Sequence, residues 1–185
     1  MTAWQLRQAV AALRGGGIIA YPTETVYGLG CDPLNPDAIE ELLTLKQRPV
    51  EKGLILIGAQ LEHLRPYIDV DDAELLQKLQ TAMPRPTTWI APARQHTPSW
   101  LTGRHNSIAV RLTSHPIASK LCNHFAGAIV STSANPAGLP PARSALTVRR
   151  YFHDKLDYLL HASIKTANKP SEIRDLLSNK IFRSV

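Results

Sequence analysis

The apolar runs of this chain are short, and stretches of helical periodicity separate them. Ile18 to Tyr21, Leu54 to Ile57, Thr87 to Ala91, Ile108 to Leu112 and Ala128 to Ser131 each read as a strand bounded by Gly, Pro or polar residues. Around them the pattern changes. Thr2 is placed to cap a helix running to about Arg14, with Trp4, Leu6, Val10 and Leu13 near one stripe and three glycines, 15 to 17, to stop it. Asn35-Pro36-Asp37 reads as an N-cap, a proline in the first turn and an acidic residue beside it. The helix it opens carries Ile39, Leu42, Leu43 and Leu45, and Pro49 is expected to end it. Residues 71–82, the segment from His115-Pro116 to Phe125, and residues 144–152 read as further helices. Strands are expected at Tyr158 to Leu160 and at Ile181 to Ser184, with a short helix after Pro170. Such interleaving makes an α/β fold. The strands at 87–91 and 108–112 follow one another with no clear helical pattern between them. The expected sheet is therefore open, twisted, mixed and flanked by helices. No repeat or linker divides residues 1–185, so a single domain is expected.

Several function classes are excluded early. At 185 residues the chain can bury a sizeable core without staples, and its only two cysteines, Cys31 and Cys122, offer no disulfide framework. No apolar run approaches the roughly 20 residues that cross a bilayer, and Met1 to Arg7 lacks the pattern of a secretory signal. A cytoplasmic location and no membrane partner are the expectations. The formal charge of +6 is spread along the chain and favours anionic ligands without choosing among them. There is no G-x-x-x-x-G-K-[ST] loop, no dinucleotide fingerprint and no G-x-S-x-G elbow. The seven histidines contain no H-x-x-x-H pair, so no protein-held metal site is expected.

Three polar segments stand where the fold should be ordered. In Tyr21-Pro22-Thr23-Glu24-Thr25-Val26-Tyr27-Gly28-Leu29-Gly30, an extended backbone would point residues 21, 23, 25 and 27 one way and Glu24 the other. The segment reads equally well as a tight turn whose threonines satisfy their own backbone. In Lys46-Gln47-Arg48-Pro49, proline pushes Arg48 toward extended geometry, which lets Lys46 and Arg48 face one site, with Lys52 within reach. The alternative is a pair of cations complementing a helix C-terminus. In Ser131-Thr132-Ser133-Ala134-Asn135-Pro136, extended spacing aligns Ser131, Ser133 and Asn135, although a strand-ending turn fits as well. Hydroxyls, an amide and cations, without a Ser-His-Asp relay or paired acids, suit phosphate handling by positioning and charge neutralisation.

The strings YPTETVYGLG at 21–30, KQRP at 46–49, VRLTSHP at 110–116 and STSAN at 131–135 resemble, in order, the YrdC/TsaC family of L-threonylcarbamoyladenylate synthases. The resemblance extends from about Gly17 to Arg183. It implies a YrdC-like twisted sheet with a concave basic cavity, and a nucleotidyltransferase reaction in which L-threonine, bicarbonate and ATP give threonylcarbamoyl-AMP and pyrophosphate. Mg²⁺ would be carried with the ATP. The product would pass to proteins that complete the t6A modification of adenosine 37 in tRNAs reading ANN codons, with tRNA or double-stranded RNA as a further partner. By resemblance Thr23, Thr25, Ser133 and Ser171 are threonine-site residues, and Lys46 and Arg48 are catalytic. Lys46, Arg48, Lys52, Thr88, Arg111, Ser131, Asn135, Arg143 and Arg183 are ATP-site residues. Arg85 stands where the family often has glycine. A second class of function, an RNA-binding module without catalysis, would use the same charge, but no RNP-like aromatic motif is present and aromatics make up only 6% of the chain.

Overall fold

The computed structural model describes residues 1–162 and 171–183. Helix α1 (Ala3–Arg14) begins with a reciprocal capping box. The Thr2 hydroxyl accepts from the Gln5 N–H at 3.2 Å, and Gln5 Oε1 accepts from the Thr2 N–H at 2.8 Å. Its buried stripe is Leu6, Ala9, Val10 and Leu13. Trp4, expected on that stripe, is 59% exposed, because residues two apart on a helix do not share a face.

Strand β1 (Ile19–Pro22) extends through the proline, and β2 (Tyr27–Gly30) returns antiparallel to it, with Pro22 opposite Tyr27. Helix α2 (Pro36–Lys46) is capped by Asn35 Oδ1, which accepts from the Ala38 N–H at 3.0 Å. It ends before Pro49, at Gln47, whose backbone is left-handed. A 3-10 turn (Val50–Lys52) leads into β3 (Ile55–Gly58), followed by α3 (Leu61–Leu64), α4 (Ala73–Gln80), β4 (Thr87–Pro92), α5 (Ser99–Thr102) and β5 (Ser107–Leu112). Helix α6 (Pro116–Phe125), β6 (Ile129–Val130), β7 (Thr132–Ser133), α7 (Ala145–Phe152), β8 (Tyr158–Leu159), β9 (Glu172–Asp175) and β10 (Ile181–Arg183) complete the order. Helices α3 and α5, four residues each, are too short to leave a period in the sequence.

The fold is the expected mixed α/β, with the strands divided between two sheets. Among the described residues, one sheet runs β7-β2-β1-β8 and the other β10-β9-β4-β5-β3-β6. Strands β6 and β7 adjoin in sequence but belong to different sheets. Ser131 stands at the switch, its N–H bonded to the Ile55 carbonyl at 2.8 Å. The segment after Pro170 is a strand where a short helix was expected. Glu172 to Asp175 lies parallel to β4, in register from Thr87–Glu172 to Ile90–Asp175, so tertiary pairing decides the conformation of a polar sequence. Ser184, assigned to the last strand, and Pro170 lie outside the described residues.

Alternation divides the larger sheet into two faces. Leu56, Trp89, Ala91, Ile108 and Val110 are buried in a core shared with Leu42, Leu64, Leu76 and Leu79. A second core joins Leu6, Val10 and Leu13 of α1 to Leu121 and Cys122 of α6 and to Ile19, Tyr21 and Ile57. The two sheets approach closely at Gly30, where an added Cβ would lie 2.8 Å from the Val130 carbonyl oxygen. That glycine is required by proximity, not by its dihedral angles.

Candidate functional site

The face of the larger sheet opposite the first core forms the floor of a cavity of about 440 Å³. Alternate residues build it: Ile55 and Ile57 on β3, Ser107, Ala109 and Arg111 on β5, Thr88 and Ile90 on β4, Ile173 on β9 and Arg183 on β10. The registers align five of them. Ile57 pairs with Arg111, continuing the β4–β5 register by one step brings Thr88 opposite Arg111, Thr88 pairs with Ile173, and Ile173 pairs with Arg183. Arg111 and Arg183 are three strand spacings apart in this row, roughly 14 Å between backbones at about 4.8 Å per strand. The β1–β2 turn and Ser131 to Ser133 form one wall, and Arg48, Lys52, Gly53, Leu101, Thr102 and His105 form another.

Four cations, Arg48, Lys52, Arg111 and Arg183, line the cavity, and no Asp or Glu is among its described lining residues. The three arginines are each held differently. The Arg48 guanidinium donates to the Gly53 carbonyl from Nε at 3.3 Å and Nη2 at 2.9 Å, which fastens it to the 3-10 turn. Burial lowers its pKa from the ordinary value. Arg183 donates to the Ser171 carbonyl at 2.7 Å and to the Ser171 hydroxyl at 3.2 Å, and that hydroxyl lies 3.1 Å from the Thr88 hydroxyl. Burial lowers the Arg183 pKa as well. Arg111 is ion-paired with Glu24, and both side chains are mostly buried. Burial pushes the Glu24 carboxyl up, but the Arg111 charge and hydrogen bond together hold it below the ordinary value.

The Thr23 segment forms the tight turn, and its two threonines, Thr23 and Thr25, face the cavity from it. The Thr23 N–H and hydroxyl both donate to the Val26 carbonyl, at 3.0 and 2.7 Å. The backbone is therefore not extended through residues 23 to 26, and Glu24 reaches Arg111 beneath. Ser131 accepts from the buried Tyr21 hydroxyl at 2.8 Å, and Ser133 donates to Asn135 Oδ1 at 2.6 Å.

Ten of the sequence-derived candidates line this one cavity: Thr23, Thr25, Arg48, Lys52, Thr88, Arg111, Ser131, Ser133, Ser171 and Arg183. Three do not. Lys46 is 5% exposed, and its ammonium donates to the carbonyls of Ser133 and, at 3.0 Å, Asn135. Burial, with the nearby Arg48 charge second, lowers its pKa to about 8. It acts as a tether behind the wall. The Asn135 side chain turns away from the cavity, donating to the carbonyls of Pro136 and Leu139 at 3.1 and 2.8 Å. The chain bends there instead of continuing extended, since the Asn135 N–H bonds back to the Ser133 carbonyl. Arg143 is exposed at the start of α7, outside the cavity. His105 and Ser107 were missed. Ser107 shares the alternation of Ala109 and Arg111 on β5, which is the signal that identifies it.

Among the described residues, no group of three or more His, Cys, Asp or Glu could hold a metal ion, and no helix is long and apolar enough to cross a membrane.

Known proteins resemble this chain over nearly its whole length. The Sua5–YciO–YrdC family model, described as telomere recombination, matches residues 11–184. The threonylcarbamoyl-AMP synthase of Cellvibrio japonicus (strain Ueda107) is 49% identical over 179 residues, covering 97% of this chain and 95% of that protein. The protein of the same name from Vibrio parahaemolyticus serotype O3:K6 is 50% identical over 178 residues, covering 95% of this chain and 96% of that one. Among solved structures, P. abyssi Sua5 complexed with L-threonine superposes with a TM-score of 0.87 at 31% identity over 95% of this chain. The chain spans about half of that longer protein, 52% of its length. E. coli YciO superposes with a TM-score of 0.82 at 26% identity, covering 96% of this chain and 87% of that one. This chain belongs to the Sua5–YciO–YrdC family.

Proposed function

We propose that the chain is a threonylcarbamoyl-AMP synthase, a nucleotidyltransferase that joins L-threonine, bicarbonate and ATP and releases pyrophosphate. The observation that carries this reading is a single cavity with cations at separate places and hydroxyls between them, in a chain close to half identical to proteins of that name. The Sua5 structure complexed with L-threonine supports the amino-acid substrate.

The chemistry divides between the two arginine-bearing sides. Arg48 and Lys52 have no carboxylate within ion-pair distance among the described residues, so their charge is available to a triphosphate. Arg111 is ion-paired with Glu24, which leaves little net charge there and suits a monoanion such as the threonine carboxylate better than a polyphosphate. That assignment moves Arg111 from the nucleotide to the amino acid. The threonine amine, having given up a proton to solvent, adds to CO₂ with loss of a second proton, or to bicarbonate with loss of water, to form a carbamate. The carbamate oxygen attacks the α-phosphorus of ATP while the bond to the pyrophosphate oxygen breaks. Thr23, Thr25, Ser133 and Ser171 supply hydroxyls around the amino acid, and Thr88, Ser131 and Arg183 contact the adenylate portion. No protein nucleophile is needed, because positioning and charge neutralisation carry phosphoryl-group chemistry. The donor set fits Mg²⁺ held mainly by phosphate oxygens and water, with hydroxyls nearby; when bound it neutralises phosphate charge. The mixed anhydride formed is reactive, which suits transfer to the proteins that complete t6A on tRNA.

Purified protein incubated with threonine, bicarbonate, ATP and Mg²⁺ is expected to release pyrophosphate only when all four are present. Release that ignores threonine overturns the reading.

A further inference from the structure

The Glu24–Arg111 ion pair joins two parts of the molecule that no strand pairing connects. Glu24 sits in the turn between β1 and β2, in the four-stranded sheet, and Arg111 is on β5, inside the six-stranded sheet. Side-chain exposure is 19% for Glu24 and 15% for Arg111, so the pair is largely shielded from the screening that weakens surface pairs. Glu24 itself is not among the residues lining the cavity, whereas Arg111, Thr23 and Thr25 are. The carboxylate thus stands behind the cavity and holds the side chain that faces it.

Only Nη2 of Arg111 is used in this contact, and no other hydrogen bond of that guanidinium is formed among the described residues. A guanidinium has five N–H donors in a fixed plane. Fixing one corner sets the direction of the rest. We propose that Glu24 is a positioning and specificity residue: from the other sheet it orients Arg111 so that the remaining N–H donors meet a substrate carboxylate, and the site thereby selects an amino acid over its amide. This rests on the reading of the cavity as a threonine site. Without Glu24 the flexible arginine would sample many rotamers, and an anchor that is not pre-organised loses discrimination before it loses the fold.

The test compares L-threonine with L-threoninamide, which lacks the carboxylate charge, in wild type and Glu24→Gln. Pyrophosphate release is measured for both substrates, and the binding of each is measured by calorimetry. In the variant the threonine-to-threoninamide ratio of kcat/KM is expected to fall about tenfold, through KM for threonine, with KM for ATP within twofold of wild type. A role confined to holding the sheets together lowers both substrates alike, and that result, or an unchanged ratio, overturns the proposal. Should the glutamine variant fail to fold, Glu24→Asp carries the same test. Its carboxylate is one methylene short of Arg111, and a wild-type ratio there overturns the proposal equally. Failure of the threonine-site reading itself would show in the wild type, as absent threonine dependence and absent threonine binding.

Discussion

Lys46 and Arg48 are two positions apart at the end of α2, yet one is buried against backbone carbonyls and the other faces the cavity. The left-handed backbone at Gln47 separates them. The sequence spacing and the proline after Arg48 let both cations face one site, but only Arg48 lines the cavity. Spacing could not show that the Lys46 ammonium would meet the Ser133 and Asn135 carbonyls, because those acceptors are almost ninety residues away. The two positions should therefore respond differently to substitution. Lys46→Met removes the ammonium donor from the Asn135 carbonyl and one of the two donors to the Ser133 carbonyl, and is expected to destabilise by about 2 kcal/mol. Arg48→Ala is expected to lose no more than about 1 kcal/mol, while removing a contact to developing phosphate charge cuts turnover by roughly a hundredfold or more. Urea unfolding and pyrophosphate release on the same preparations check both. A pH dependence follows too. Lys46 titrates near 8 when folded and near its ordinary 10.5 when unfolded, so between those values the unfolded chain binds more protons and stability rises with pH. The stability difference between wild type and Lys46→Met should be larger at pH 10 than at pH 7. A difference that shrinks would contradict the buried-cation assignment.

At the scale of elements, the longer helices were legible because caps and stripes are local. Thr2, Asn35 and Pro116 mark starts that the structure retains. Two strands without an apolar run were not. Strand β2 hides behind Gly28 and Gly30, and β9 carries Glu, Arg and Asp in a segment held extended by β4. The wall bearing Arg48 and Lys52 has a similar hidden dependence. Gly103, after α5, has a positive φ of 65°, and a Cβ there would lie 2.3 Å from the Glu51 carbonyl oxygen and 2.6 Å from the Gly53 nitrogen. The 3-10 turn can sit where it does only because residue 103 has no side chain. Gly103→Ala is expected to destabilise by about 2 kcal/mol or more and to raise KM for ATP more than KM for threonine, since it displaces the turn that holds Arg48. Paired thermal unfolding and substrate titrations test this, and equal effects on both substrates would sink it.

For the whole molecule, the α/β class, the mixed sheet and ten of the cavity's residues could be read from the sequence, whereas the division into two sheets could not. Nothing local to Ser131 announces that β6 and β7 part company there. The two free cysteines report on the integrity of the assembled core. Cys31 and Cys122 are fully buried, and burial pushes both thiols up to about 12. Thiolate is the reactive form, so a thiol reagent is expected to label neither residue in folded protein at pH 8 and both after denaturation. Rapid labelling of the native protein would show that the core opens far more easily than its packing implies.

The row Ile57, Arg111, Thr88, Ile173 and Arg183 takes one residue from each of five neighbouring strands. The sheet is in this sense a ruler graduated in strand widths, with its divisions fixed by main-chain hydrogen bonds. Replacing a side chain changes what each mark grips and leaves the strand spacing as it was. Descendants of this fold would thus inherit the length of molecule they accept more faithfully than its chemical identity.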